Sequence, residues 1–234
     1  MKQRIGAWCS ILSAVLVVGT MVGMQTFTMN GVTGADVYEK TVNSMSLHPV
    51  ANWLFVLIGL AGIILLYWTF EAVDERIRSA QPNVSRTGIH FANIHLLLYA
   101  LFLFLPVGIL HDLANGDLTT AEALPKAQVI LELSLVFSAL SSIFFSLFLF
   151  QVGWAIIKTN VLSKGFGYFT LLTGIIVLAS GAYEALYGRG ALPGIFLSIF
   201  TFLFGFVVWK IWLGVEMLRK PVAQLEEKSR NLAS

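Results

Sequence analysis

The stretch FANIHLLLYALFLFLPVGILHD, Phe91 to Asp112, decides the fold. Between His95 and His111 lie fifteen residues without a charged side chain. A run of about 20 mostly apolar residues, rising 1.5 Å each as a helix, crosses roughly 30 Å of hydrocarbon. In lipid the backbone has no water to bond, so a spanning segment is a helix or a strand of a closed barrel. The stretch shows no strand-like alternation of apolar and polar residues, which leaves the helix.

The same pattern recurs along the chain. Six apolar segments are predicted as spans: Ile5 to Phe27, Pro49 to Phe70, Ile89 to Leu110, Val129 to Ile157, Phe166 to Leu186 and Leu192 to Leu218. Of the 234 residues, 57% are hydrophobic and 12% charged, and the mean hydropathy is +0.79. Soluble domains carry roughly twice that charged fraction. The fold class is therefore all-α: a polytopic bundle of six transmembrane helices, residues 1–220, with a short mixed-charge tail over 221–234. The basic start and apolar run at the N-terminus lack a small-x-small cleavage pattern and are read as a retained first span. Cys9 is the only cysteine, which excludes an internal disulfide and a cysteine-pair metal motif.

Flanking Lys and Arg residues accumulate on the cytoplasmic side of membrane proteins. With the N-terminus inside, Lys2, Arg4, Arg76, Arg78, Arg86, Lys158, Lys164, Arg219, Lys220, Lys228 and Arg230 fall inside, against Lys40, Lys126 and Arg189 outside. Eleven against three puts both termini in the cytoplasm. Lys210 stands apart, within the sixth span, and its ammonium is expected to snorkel to the inner interface.

Small residues mark the surfaces on which helices approach closely in lipid. Gly167, Gly174 and Gly181 recur every seven residues, Gly19 and Gly23 form a GxxxG, and Ser134, Ser138, Ser142 and Ser146 step by four. Each face is expected to meet a neighbouring helix, with the serines bonding their own backbone. No P-loop, glycine-rich dinucleotide turn, HExxH or GxSxG occurs. A net charge of +2 without a basic patch excludes a nucleic-acid partner. These absences favour a non-enzymatic role over catalysis.

The polar residues of the apolar spans are the candidate site. His95 and His111 are sixteen residues apart, about 24 Å of helix rise, and cannot share a metal. His90 and Asn93 are read as interfacial, and His95 as hydrogen-bonded to a neighbouring helix. At the outer face the threading brings His48, Asn52, His111, Asp112, Glu132 and Glu184 to one membrane surface. Imidazole and carboxylate ligands suit a hard or borderline metal, so His48, His111, Asp112, Glu132 and Glu184 are the candidate metal ligands, with metal or haem as the possible cofactors. Glu132 is the strongest of them, since an ionisable group about one turn inside a span faces protein or water. The alternative is a structural pair between His111 and Glu132.

The segment FFSLFLFQVGWAIIKTNVLSKGFGYFTLLTGIIVLASG, Phe144 to Gly181, resembles the late part of the bacterial family known as domain of unknown function 4386. Gly153, Lys158, Thr159 and Gly167 fall at matching places around a glycine-plus-basic turn. Ser163 stands where the family carries proline, and Thr159-Asn160 replaces Ser-Gly. The resemblance implies a multi-pass protein of the bacterial inner (cytoplasmic) membrane and no particular chemistry. Three functions are open on these grounds. They are a non-enzymatic scaffold or accessory subunit with a membrane-protein partner or a second copy, a binder, carrier or channel for a small or lipophilic ligand, and a membrane metal or haem protein. The ring-rich run FLSIFTFLFGFVVWKIWLG, Phe196 to Gly214, makes the second plausible.

Overall fold

The computed structural model describes residues 2–23, 36–187 and 192–219, and every regular element among them is helical. In chain order they are α1 (Lys2–Gly23), α2 (Val37–Leu47), α3 (Pro49–Arg78), α4 (Pro82–Phe104), α5 (Val107–Asn115), α6 (Thr120–Thr159), α7 (Lys164–Tyr187), α8 (Leu192–Phe200), a π-helical segment Thr201–Val208, and α9 (Trp209–Arg219). Six of the helical stretches are long and apolar enough to cross a membrane, the α4–α5 and α8–α9 runs counting as one each. The class is thus a multi-pass, all-α membrane bundle. The tail over 221–234, the end of the first span at Phe27, and Arg189 lie outside the described residues.

Local chemistry sets the boundaries. Pro49 and Pro82 open α3 and α4 at positions where a missing N–H costs nothing. Pro106 interrupts the third span, which therefore divides into α4 and α5 instead of running unbroken to Leu110. Gly116, at φ 75°, closes α5 in the left-handed conformation, its N–H bonding the Asp112 and Leu113 carbonyls. A reciprocal capping box between Thr119 and Glu122 then starts α6 nine residues ahead of the predicted Val129. With 40 residues, α6 is about 60 Å long and projects beyond any hydrocarbon layer. At its other end Asn160 takes φ 55°. Asn tolerates that conformation better than most residues. Helix α2, capped by the Asp36 carboxylate on the Glu39 N–H, is absent from the sequence expectation, because its 11 residues are polar and short.

Successive antiparallel spans bring Lys2, Arg78, Pro82, Thr159, Lys164 and Arg219 to one end of the bundle, here the basic end. The main core occupies this half, with Phe70, Phe145, Phe148, Phe166, Trp209 and Leu213 among its buried members. Backbones approach closely there. A Cβ added to Gly6 would collide with Ala72 Cβ, and one on Gly214 would lie 2.7 Å from the Ala7 carbonyl oxygen. The glycine stripe of α7 packs on α6 as expected: Gly174 faces Phe150, Gly181 faces Ser142 at 2.9 Å, and Gly167 faces Ile156 and Ile157. Ser134, Ser142 and Ser146 bond carbonyls of their own helix, while Ser138 donates to Glu184 at 3.4 Å.

The GxxxG of α1 behaves otherwise. No described atom lies within 4 Å of a Cβ placed on Gly19, so this glycine meets no described neighbour. A smaller cluster at the opposite end joins Val42 and Met45 of α2 to Ile109, Leu110 and Leu113 of α5 and to Ala123 and Ala127 of α6.

Candidate functional site

The candidate ligands lie at the end opposite the basic one. His111 is exposed, and its Nε2 lies 3.1 Å from Asn115 Nδ2, one turn on in α5. Glu132 is exposed and accepts from the Tyr38 hydroxyl of α2 at 3.4 Å. Burial and the adjacent Glu132 carboxylate push the Tyr38 phenol above its ordinary pKa. Glu184 is half-buried and accepts from Ser138 across the α6–α7 interface. His48 ends α2 and precedes Pro49, and Asp112 is half-buried in α5, its carbonyl taking the N–H groups that close the helix. Asn52 folds back on Ser44 and His48, donating to their carbonyls at 3.0 and 2.9 Å. No group of three or more His, Cys, Asp or Glu side chains able to hold a metal occurs among the described residues. Nor do His111 and Glu132 bond each other: Glu132 takes the Tyr38 hydroxyl and His111 contacts Asn115.

The denser polar constellation is inside the basic half. His95 is 2% exposed, and its Nδ1 lies 3.0 Å from the Ser141 carbonyl and 2.8 Å from Ser141 Oγ, which itself donates to the His95 carbonyl at 3.2 Å. This is the interhelical bond expected of His95. Nδ1–H donating to the carbonyl is the consistent assignment; Nε2 has no hydrogen-bond partner among the described residues. Phe145 stacks on the imidazole at 4.7 Å between centroids and on Phe206 at 5.8 Å.

Lys210 lies over the far side of that ring series, its Nζ 5.1 Å from the Phe206 centroid. It does not snorkel, contrary to the sequence expectation. The side chain is 0% exposed and Nζ has no hydrogen-bond partner among the described residues. Nine residues separate it from Arg219, about 13 Å of helix rise, more than a lysine stem bridges. The close crossing of α1 over α9 at Gly214 seals it from the side, and Ser10 of α1 donates to the Lys210 carbonyl at 2.7 Å. The π-helical segment immediately before it sets which way Lys210 faces, since a wider turn shifts the register of the helix C-terminal to it.

Nearer the basic end the polar groups are paired across helices. Trp209 Nε1–H donates to Thr170 Oγ1 at 3.0 Å. The Ser163 N–H and hydroxyl donate to the Glu216 carboxylate at 3.2 and 2.8 Å, tying α9 to the α6–α7 turn. Asp74 accepts from Ser85 and from Arg78. Arg76 is the exception: it is 2% exposed, and none of its three guanidinium nitrogens has a hydrogen-bond partner among the described residues. By sequence position Arg76 counts with the loop cations. Its depth has no sequence signal because α3 runs two turns past Phe70, the predicted end of the span.

Fold and polar interior together define a multi-pass helical membrane protein with buried cations in one half. No known protein family, curated protein or solved structure matches the chain.

Proposed function

We propose that the chain is a non-enzymatic scaffold or accessory subunit of a bacterial inner membrane, inserted with its basic end in the cytoplasm. The observation that carries this is the state of α3 away from the basic end. No residue from Pro49 to Leu65 is fully buried, Leu54, Leu57, Leu60 and Ile64 are exposed, and Gly62 has nothing within 4 Å of a Cβ placed on it. Helix association in lipid depends on close contact at small residues, and Gly62 on α3 and Gly19 on α1 both present such a contact unused. The partner that fits is a transmembrane helix of another protein, laid along the open half of α3. The charge bias supports the orientation, and the likeness of Phe144 to Gly181 to the bacterial family supports the membrane assigned.

A photo-crosslinking residue at Leu60, compared with one at Trp154 on the exposed surface of the basic half, tests the reading in intact membranes. A constant adduct of partner mass at Leu60 alone is the expected result. An adduct of twice the chain's own mass would replace the partner by a second copy, and lipid adducts alone at both positions would end the proposal.

A further inference from the structure

Lys210 sits where α1 crosses α9, in the packed half of the bundle and away from the open part of α3. Its side chain is 0% exposed, and Nζ stands 5.1 Å from the Phe206 centroid with no hydrogen-bond partner among the described residues. Ser10 and Ser13, the buried polar side chains of α1 at this level, turn their hydroxyl protons to the carbonyls of Lys210 and Ser10 and make no bond to Nζ. An ammonium carries three donors. Stripped of water, acceptors and counter-charge it is far more costly than the neutral amine.

No described carboxylate acts on it. On α1 the ionisable groups are Lys2 and Arg4, exposed at the basic end, and the buried thiol of Cys9. Helix α6 has no ionisable residue between Glu132 and Lys158. On α7, Lys164 and Tyr168 are exposed near the basic end, and Glu184 bonds Ser138 toward the other. On α3, Asp74 takes Ser85 and Arg78, while Glu71 and Glu75 act on Arg78. Farther along α9, Glu216 takes Ser163 and acts on Arg76. His95 of α4, across the Phe145 and Phe206 rings, is repelled by a charged Lys210. Glu226 and Glu227 follow Arg219 in the sequence, outside the described residues.

We propose that the crossing of α1 over α9 is a proton-controlled latch, closed over the neutral amine of Lys210 and opened when that amine takes up a proton from water. Gly214 meets the Ala7 carbonyl and Ile11 at backbone distance, so water reaches Nζ from this side only when α1 moves off α9. The closed form binds one proton fewer than the open form. Acid therefore favours opening and alkali favours closure. The device belongs to the packed half and does not depend on a partner helix.

Cys9, the single thiol of the chain, is buried on α1 and reports the opening. The full chain in phosphatidylcholine nanodiscs is labelled with a small maleimide across a range of pH, as wild type and as Lys210→Met. The ratio of the wild-type rate to the variant rate at each pH cancels the titration of the thiol itself. That ratio is expected to be near unity in alkaline buffer and to rise about tenfold per unit of acidification, the slope of a one-proton equilibrium. A ratio that stays flat down to acid pH would overturn the latch. So would a Lys210→Met chain that fails to fold, because methionine can replace a neutral amine that bonds nothing. His95→Gln should keep the slope, and its loss there would assign the proton to the imidazole instead. Glu226→Gln combined with Glu227→Gln should leave the ratio unchanged. Opening in alkaline buffer in that double variant would make the tail carboxylates the counter-charge of a permanently charged Lys210, which also overturns the latch.

Discussion

The basic half of the bundle and the opposite half share the same long helices, yet the basic half is the more closely packed. Near the basic end, glycines on α1, α6, α7 and α9 let backbones meet, and Phe145, Phe148, Phe166 and Trp209 fill the space between. Toward the other end the side chains of α1, α3 and α4 are exposed or half-buried, and order is supplied by a local cluster of α2, α5 and the start of α6. Apolarity does not make the difference, since both halves are apolar. In lipid an apolar side chain gains little from leaving the hydrocarbon, so association follows shape and polar contacts. The glycines and the interhelical bonds of His95, Trp209 and Glu216 are concentrated in the basic half.

That contrast can be broken most severely at the α1–α9 crossing. Gly214→Leu places a side chain where the Ala7 carbonyl and Ile11 already stand. It should cost about 3 kcal/mol or more, the upper range for overpacking. Gly62→Leu, on the open part of α3, should leave melting of the isolated chain within about 0.5 kcal/mol of wild type, as surface changes do. Melting curves of the two variants in one detergent decide it; equal losses would show that the halves are not distinct.

A smaller effect is expected at Trp209. Trp209→Phe keeps an aromatic ring but removes the donor to Thr170, which leaves the loss of one buried bond at about 1 kcal/mol plus a small void. Thr170→Val should cost a comparable amount. The double variant should cost less than the sum, because the two residues share that bond. Strict additivity would show that the contact contributes nothing.

Ser141→Ala removes both the hydroxyl at His95 Nδ1 and the donor to the His95 carbonyl, but leaves the Ser141 backbone carbonyl in place. A loss of about 1 kcal/mol is expected. Its counterpart at the other end is Tyr38→Phe, which removes an exposed 3.4 Å contact to Glu132. A change below about 0.5 kcal/mol is expected there. A larger loss at Tyr38 than at Ser141 would reverse the order of the two halves.

Orientation sharpens the comparison without a stability effect. Reporter fusions after Ser79 should read as cytoplasmic and after Asp117 as external. The opposite pair of signals would move the packed half, and the buried Arg76 with it, to the outer side.

Several features were legible from the sequence alone. Segment length and hydropathy established the six spans and their helical class, because lipid leaves a polar backbone few ways to be satisfied. The seven-residue glycine repeat marked a packing face on α7, and the structure supplies α6 as the helix it meets. The need of a buried imidazole for a partner identified the bond of His95. Tertiary structure alone decided which faces stay empty and which cations are buried. The same small-residue pattern is filled at Gly174 and open at Gly19, because the pattern permits contact without supplying the neighbour. Lys210 and Arg76 look in sequence like interfacial cations. The crossing of α1 over α9 and the length of α3 beyond Phe70 put both inside, and depth depends on which helices close around a residue rather than on the residues beside it in the chain.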